Sequence, residues 1–198
     1  EFTRSAATLA ARTKGRFDQM GVVEFSRVRD GATVLEVGAG TGNFLDLFAG
    51  DDRRLVAVDL TEAMLREAQD KFPAMDLFLA DGKALPFAAR SIELVACAQM
   101  LHHVHEPLPL LKEMRRVSKD DGAVLVVDQV APESYEKTAF MNQLEAIRDP
   151  SHAMSRSPSS MRVLLQSAGL EIVDEAIVTS TQTMSNWMAP GEFPEERF

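Results

Sequence analysis

The chain has 198 residues, 45% of them hydrophobic, and a formal net charge of −9. That length fits one domain with a sizeable core, and that composition excludes a disordered chain. The acidic balance argues against non-specific binding to nucleic acid, which needs a basic footprint.

The opening segment EFTRSAATLA has no basic region followed by an apolar stretch, so no signal peptide is expected, and it lacks an initiator methionine. No apolar run reaches 18 residues, so no transmembrane helix is expected. The single cysteine, Cys97, excludes an internal disulfide framework and fits a reducing, cytoplasmic compartment.

ATVLEV, residues 32–37, is a short apolar run that enters glycines, which predicts a buried strand. TGNFLDLFAG, residues 41–50, predicts a helix stopped near Gly50. RLVAVD, 54–59, is the second strand. TEAMLREAQDKF, 61–72, is a helix with Thr61 as N-cap that ends before Pro73. MDLFLAD, 75–81, and SIELVACA, 91–98, are the third and fourth strands. PLPLLKEMRRVS, 107–118, carries Leu110, Leu111, Met114 and Val117 at helical spacing. Asp120–Asp121 before Gly122 marks a turn, and AVLVVDQV, 123–130, is the fifth strand.

The simple alternation then breaks. Residues 131–157 are long and mixed, helical from about Glu133 to Arg148. SPSSMRVLLQSAGL follows as a helix with Ser157 as N-cap, Pro158 at its first position and Gly169 ending it. LEIVDEAIVTS, 170–180, reads as a sixth strand. The tail, 181–198, holds two prolines and a glycine and reads poorly as a seventh.

Strands alternating with helices predict an α/β fold: a doubly wound, mostly parallel sheet with helices on both faces. In such a sheet the ligand sits beyond the carboxyl ends of the strands, where strand order reverses. The residues at those ends are therefore the informative ones: Glu36, Gly38, Gly40 and Gly42; Asp59; Asp81 and Gly82; Gln99, Met100, Leu101, His102 and His103.

VLEVGAGTG sets three glycines in a G-x-G-x-G spacing, two residues after Glu36. The dinucleotide fingerprint would place its third glycine at position 43, which is Asn43. A glycine turn between strand and helix lets a ligand approach the backbone closely. The acid beside it favours a cationic, amine-bearing group, and Asp59 is placed to accept from ribose hydroxyls. These residues together predict a nucleoside ligand with a positive, non-phosphate substituent. No Cys/His cluster has metal-ligand spacing, so no metal site is expected.

These segments resemble the class I S-adenosylmethionine-dependent methyltransferases, nearest the small-molecule branch of ubiquinone and menaquinone biosynthesis. The resemblance covers residues 33–177. VLEVGAGTGNF, VAVDLTEAML, ADGKALPF, SIELVACAQMLHHV and LKEMRRVSKDDGAVLVVD match the family's signatures in order. One departure is Glu93, where the family more often has Asp, remote from the methyl group.

The resemblance implies a Rossmann-like sheet of order 3-2-1-4-5-(7)-6, with strand seven open to doubt here, in a single domain over residues 1–198. It implies that Glu36 and the Gly38, Gly40, Gly42 turn flank the amino acid part of S-adenosylmethionine. Asp59 would bind the ribose, Leu60 and Met64 would lie near the adenine, Asp81 and Gly82 would meet the adenine amine, and Gln99 would lie near the methyl. His103, then His102, are the candidate bases, needed only where the acceptor must lose a proton. N-terminal helices in 1–30 and the 131–157 segment would form the lid over a small-molecule acceptor, within reach of Arg148, Asp149 and His152.

Two other classes compete with methyl transfer: a nicotinamide-linked oxidoreductase, disfavoured by the glycine spacing and Asn43, and a non-catalytic binder of S-adenosylmethionine. A nucleic-acid methyltransferase is disfavoured by the net charge.

Overall fold

The computed structural model describes Gly15, Phe17, residues 20–179 and Trp187. The N-terminal helices expected in 1–30 fall largely outside the described residues; within them lies one short helix, α1 (Val22–Ser26). The sheet that follows contains β1 (Thr33–Val37), β2 (Arg54–Asp59), β3 (Asp76–Leu79), β4 (Ile92–Ala98) and β5 (Ser118–Val127). Among the described residues it has five strands, all paired in parallel, in the order β3-β2-β1-β4-β5. The order reverses at β1 and β4, where Glu36 pairs across to Ala96.

Side-chain alternation along the strands splits the core in two. Val34, Ala57, Leu94 and Ala96 face one side, packed with Phe44, Leu45, Phe48, Leu65 and Met75. Leu35, Val37, Val56, Val58, Val95 and Cys97 face the other, against Leu110, Leu111, Met114 and Val117. α2 (Glu62–Lys71) covers the first face, and α3 (Pro107–Val117) and α5 (Pro158–Ser167) the second. α4 (Tyr135–Arg148) lies between β5 and α5 in the chain. At α5 the Ser157 hydroxyl accepts the Ser160 N–H, with Pro158 in the first turn, as expected of that cap.

Three segments depart from the sequence expectation. The first helix, expected over 41–50, is only a 3-10 turn at Leu45–Phe48. The three glycines before it all hold positive φ, so the helical run starts late, and Phe44 and Phe48 turn into the core edge-to-face instead. β5 starts at Ser118, directly after α3, because Ser118 already pairs with Ile92; the expected turn at 120–122 is a register shift within the strand. Residues 170–179, expected as a sixth strand, carry no strand. A sixth strand in the predicted order reaches β5 only through a seventh, and the tail that reads poorly as that strand, 181–198, lies outside the described residues save Trp187. The 170–179 segment leaves Val173 and Ile177 exposed and is tied down by Arg27–Asp174 and Arg162–Glu175 ion pairs. Among the described residues no helix is long and apolar enough to cross a membrane.

Candidate functional site

The carboxyl ends of β1, β2 and β4 meet at the switch point. The turn after β1 is braced by backbone bonds: Gly38 N–H and Ala39 N–H both donate to the Val58 carbonyl, at 2.8 and 3.0 Å. Asp59 locks the next step, its two oxygens accepting Gly40 N–H and Thr61 N–H, each at 2.8 Å. Each carboxylate oxygen has two lone pairs, so this bracing leaves acceptor capacity for a ligand hydroxyl.

The glycines of this turn serve different ends. A Cβ on Gly38 would lie 2.5 Å from Met100 Cγ, so that position is closed by packing. At Gly40 (φ +54°) a Cβ would meet nothing within 4 Å. Gly40 therefore borders open space, and its requirement is the left-handed backbone that keeps its amide on Asp59. Gly82, expected beside the adenine, is a packing glycine on the side where a Cβ would go: Val37 Cγ1 lies 2.7 Å from that point.

Glu36 is the most unusual group in the turn. It is 1% exposed, and its Oε2 has no hydrogen-bond partner. Burial pushes its pKa well above the ordinary carboxylate value; the Leu45 N–H bond opposes this and the nearby Asp59 charge adds to it. An orphaned buried carboxyl oxygen is costly to a protein on its own. An ammonium placed there would satisfy it. The residues present thus fit the amino acid end of S-adenosylmethionine.

Further along the crevice, Leu60 is 70% exposed at the end of β2, whereas Met64 is buried. Asp81 is exposed and its Oδ1 accepts the Lys83 N–H. Gln99 holds a positive φ of 51° and donates its N–H to the Val127 carbonyl, fastening the end of β4 to β5. Glu93, the one departure from the family pattern, pairs with Lys119 and accepts the Thr33 N–H at the opposite ends of the strands.

After Gln99 the chain forms a 3-10 turn, Leu101–His103, and here the structure gathers more than the sequence indicated. His102 Nδ1 lies 2.5 Å from Asp128 Oδ1, and both side chains are almost fully buried. Asp128 also accepts the His102 N–H at 3.1 Å and the Gln129 N–H at 2.7 Å. The sequence reading passed over Asp128, although it stands just past the carboxyl end of β5, where the crevice rule could have found it.

The His103 ring centre is 4.1 Å from that of His102, and that of His152 is 5.8 Å away. His152, expected among the possible acceptor contacts, bonds Asn142 Oδ1 at 2.7 Å. Asp149 bonds Ser151, and Arg148 pairs with Glu145 on its own helix. Burial, then the neighbouring His102, lower the pKa of His103, against smaller opposing effects of Ser151 and nearby acids; burial and His102 lower that of His152 in the same way. The loop carrying these groups docks on the turn: Ala153 N–H and Met154 N–H both donate to the His102 carbonyl, and Arg156 to that of Leu101. Among the described residues no group of three or more His, Cys, Asp or Glu is arranged to hold a metal ion.

The sheet order and the glycine turn at its switch point define a doubly wound α/β domain of the kind that places its site beyond the carboxyl ends of the strands. A family model described as a methyltransferase domain matches residues 35–126. The chain is 30% identical over 169 residues to YcgJ of Bacillus subtilis, an uncharacterized methyltransferase, covering 83% of this chain and 67% of that protein. The crystal structure of YcgJ superposes with a TM-score of 0.81 at 26% identity, over 88% of this chain and 77% of that one. A demethylmenaquinone methyltransferase of Renibacterium salmoninarum is 37% identical over 98 residues, half of this chain and 41% of the relative's length. The chain belongs to the class I S-adenosylmethionine-dependent methyltransferases.

Proposed function

We propose that this chain binds S-adenosylmethionine at the glycine turn and transfers its methyl group to a small-molecule acceptor by in-line displacement. The observation that carries the reading is the buried, orphaned Glu36 oxygen in a turn whose Gly40 faces open space. In this reading Glu36 holds the amine, Asp59 the ribose hydroxyls, and Leu60 offers an apolar surface to the adenine. Asp81 and Gly82 lie at the end of β3 on the adenine side, with Met64 beneath, and Gln99 ends β4 near the sulfonium. When bound, the cofactor supplies an electrophilic methyl, so the protein's main task is to orient the acceptor.

Where the acceptor must lose a proton, the His102–Asp128 pair is the better-built base, ahead of His103. Asp128 accepts from His102 Nδ1, which leaves the lone pair on Nε2, and its carboxylate would stabilise the imidazolium formed on proton uptake. Residues 131–157 act as the acceptor-site lid of one domain, since their C-terminal part packs on the histidine turn. The small-molecule acceptor is supported by the demethylmenaquinone relative and by the net charge of −9, which disfavours nucleic acid.

The test is calorimetric binding of S-adenosylmethionine and its demethylated product, followed by methyl transfer from labelled cofactor to a metabolite pool. A stronger thermal shift with a nicotinamide cofactor would sink the reading. Binding without transfer to any acceptor would leave the cofactor site and remove the methyltransferase activity. Asp128→Asn should cost about 10²–10⁴ in turnover on a proton-bearing acceptor.

A further inference from the structure

α4 is assembled inside out. Its apolar residues Phe140 and Ile147 are 62% and 52% exposed, with Leu144 between them exposed as well, and the one residue it buries is a carboxylate, Glu145, at 4%. A surface helix usually holds to its protein by an apolar face. This one is held by polar bonds. Asn142 joins α4 to the loop that follows it: its Oδ1 accepts the Ser155 N–H at 2.6 Å and its Nδ2 donates to the Ser155 carbonyl at 3.1 Å. The loop is fastened in turn to the His102 carbonyl and, through Ser155 Oγ, to Gln129 Nε2 just past β5, at 2.7 Å.

Glu145 makes the other attachment. Arg148, on the next turn of the same helix, donates to its Oε2 through Nε at 2.9 Å and Nη2 at 2.5 Å. That pair moves with α4 and ties it to nothing else. Glu145 Oε1 accepts the indole N–H of Trp187 at 3.2 Å, from 42 residues further along the chain. Among the described residues Trp187 is the one group outside α4 that bonds this carboxyl. The same indole lies against the Arg148 guanidinium, whose Cζ is 5.3 Å from the ring centre, so one side chain meets both members of the ion pair.

We propose that α4 is a releasable element of the lid and that Trp187 is its latch, holding the helix down through the buried Glu145 carboxylate. The proposal rests on the methyl-transfer reading above for what the latch serves and on these contacts for its geometry. Lifting a helix from an apolar seat exposes that seat to water, at a cost that grows with its area. Lifting α4 instead rehydrates a carboxylate and a guanidinium, which recovers the desolvation they suffer when docked. Its apolar stripe is already in water and loses nothing. The Asn142 bonds tie α4 only to its own loop, so the indole bond and the contact of the ring with Arg148 are what set the docking equilibrium. A helix of fourteen residues is marginal in water by itself, so α4 opens its own hydrogen bonds once it is released. Release of this kind bares the acceptor side of the crevice and leaves the glycine turn undisturbed.

Trp187 is the single tryptophan of the chain, so the fluorescence of the full, unlabelled protein reports on it directly. Acrylamide should quench it less in the unaltered protein than in the same protein unfolded by guanidinium. Glu145→Ala removes the acceptor from a helix position that alanine suits, and should move the quenching to the unfolded level while far-UV circular dichroism is kept. Trp187→Phe keeps a ring against Arg148 and loses the N–H. It should speed exchange of the Thr138 and Asp149 amides, which bond the Ser134 and Glu145 carbonyls, about 10- to 100-fold, the worth of a hydrogen bond to a charged group. The Gln99 amide, bonded between β4 and β5, should not change. In the Glu145→Ala background the same change at Trp187 should add nothing, and S-adenosylmethionine affinity should stay within about a factor of two throughout, as for sites that share no partner. Quenching of the unaltered protein at the unfolded level overturns the proposal. So does quenching unmoved by Glu145→Ala, exchange unmoved by Trp187→Phe, or an effect of Trp187→Phe that persists in full without Glu145. Loss of cofactor affinity in Trp187→Phe overturns it as well, because the indole would then serve the cofactor. If Glu145→Ala fails to fold, the quenching of the unaltered protein and the exchange of Trp187→Phe decide. Failure of the unaltered protein to bind S-adenosylmethionine would overturn the functional reading and leave fluorescence and exchange to judge the latch.

Discussion

Replacing Glu36 by Gln should stabilise the protein and weaken its ligand binding at the same time. Glu36 is fully buried with one oxygen unpartnered, so ionising it in the folded state is penalised while ionising it in the unfolded chain is not. The folded pKa is raised above the ordinary value of 4.5. The unfolded chain therefore gives up its proton first as pH rises, and stability falls from about pH 4.5 upward until the folded carboxyl also ionises. The slope is at most about 1.4 kcal/mol per pH unit for one group. Gln keeps an oxygen for the Leu45 N–H but carries no charge. Glu36→Gln should match the unaltered protein in acid and exceed it by about 1–3 kcal/mol near neutral pH, or about 2–4 °C in Tm for each kcal/mol in a chain of this size. Calorimetric titration with S-adenosylmethionine should show the opposite sign. Loss of a charged hydrogen bond to the amine, worth about 1.5–3 kcal/mol, weakens binding roughly 10- to 100-fold. Melting curves across pH together with the titration check both. A stability difference that does not grow with pH, or an unchanged affinity, refutes the assignment of Glu36.

The glycines should separate in the same pair of assays. Gly38→Ala drives a methyl to 2.5 Å from Met100 and should lower Tm, whereas Gly40→Ala meets no atom, costs about 1–2 kcal/mol for its left-handed backbone, and should lose cofactor affinity out of proportion to that. Equal effects of the two on both readouts would show that Gly40 does not border the ligand. Acid should loosen the lid. The pKa values of His103 and His152 are lowered on folding, so the stability they contribute is complete above the unfolded value near 6.5 and is lost as pH falls below it. Hydrogen exchange at the Ala153 and Met154 amides, corrected for intrinsic rate, should speed up between about pH 7 and 5; constant protection would remove the histidines from lid docking.

Much of this was legible in the chain because strand residues declare themselves by burial and by the glycines and acids that end them. The order of β1 to β5 came from the resemblance to the methyltransferase family, whereas the doubly wound parallel sheet followed from alternation and right-handed crossovers alone. So did the grouping of Glu36, Gly40, Asp59 and Gln99, since each closes a strand and the topology brings the strand ends together. What escaped depends on contacts distant in sequence. Nothing near Gly82 in the chain indicates that Val37 and Leu110 crowd it. The 41–50 segment has helical spacing, yet the positive φ of Gly38, Gly40 and Gly42 delays the helical run and leaves only the turn Leu45–Phe48. Asp149 read as a residue just past a helix end within reach of an acceptor, Ser151 was not singled out, and only the fold brings His103 to Ser151.

The two buried acids at the crevice show how partnership separates roles that sequence treats alike. Glu36 and Asp128 both stand near the carboxyl ends of strands, and both were carboxylates beside apolar runs. Asp128 is fully engaged by protein, with His102 Nδ1 and the His102 and Gln129 amides as donors. Its oxygens are satisfied inside the chain, so it is suited to act through the histidine and needs no ligand to pair them. Glu36 has the Leu45 amide and an empty second oxygen, with Asp59 close enough to add repulsion. The chain alone leaves that oxygen unpaired, and a buried polar atom left so costs about 1–3 kcal/mol. A cation that enters recovers this penalty in addition to its own hydrogen bond, which makes the cofactor's amine, rather than its adenine, the part whose removal should cost most affinity. Deaminated and base-truncated analogues compared by titration would decide it: if the loss on deamination is smaller than the loss on removing the adenine, the buried acid is not the anchor of the site.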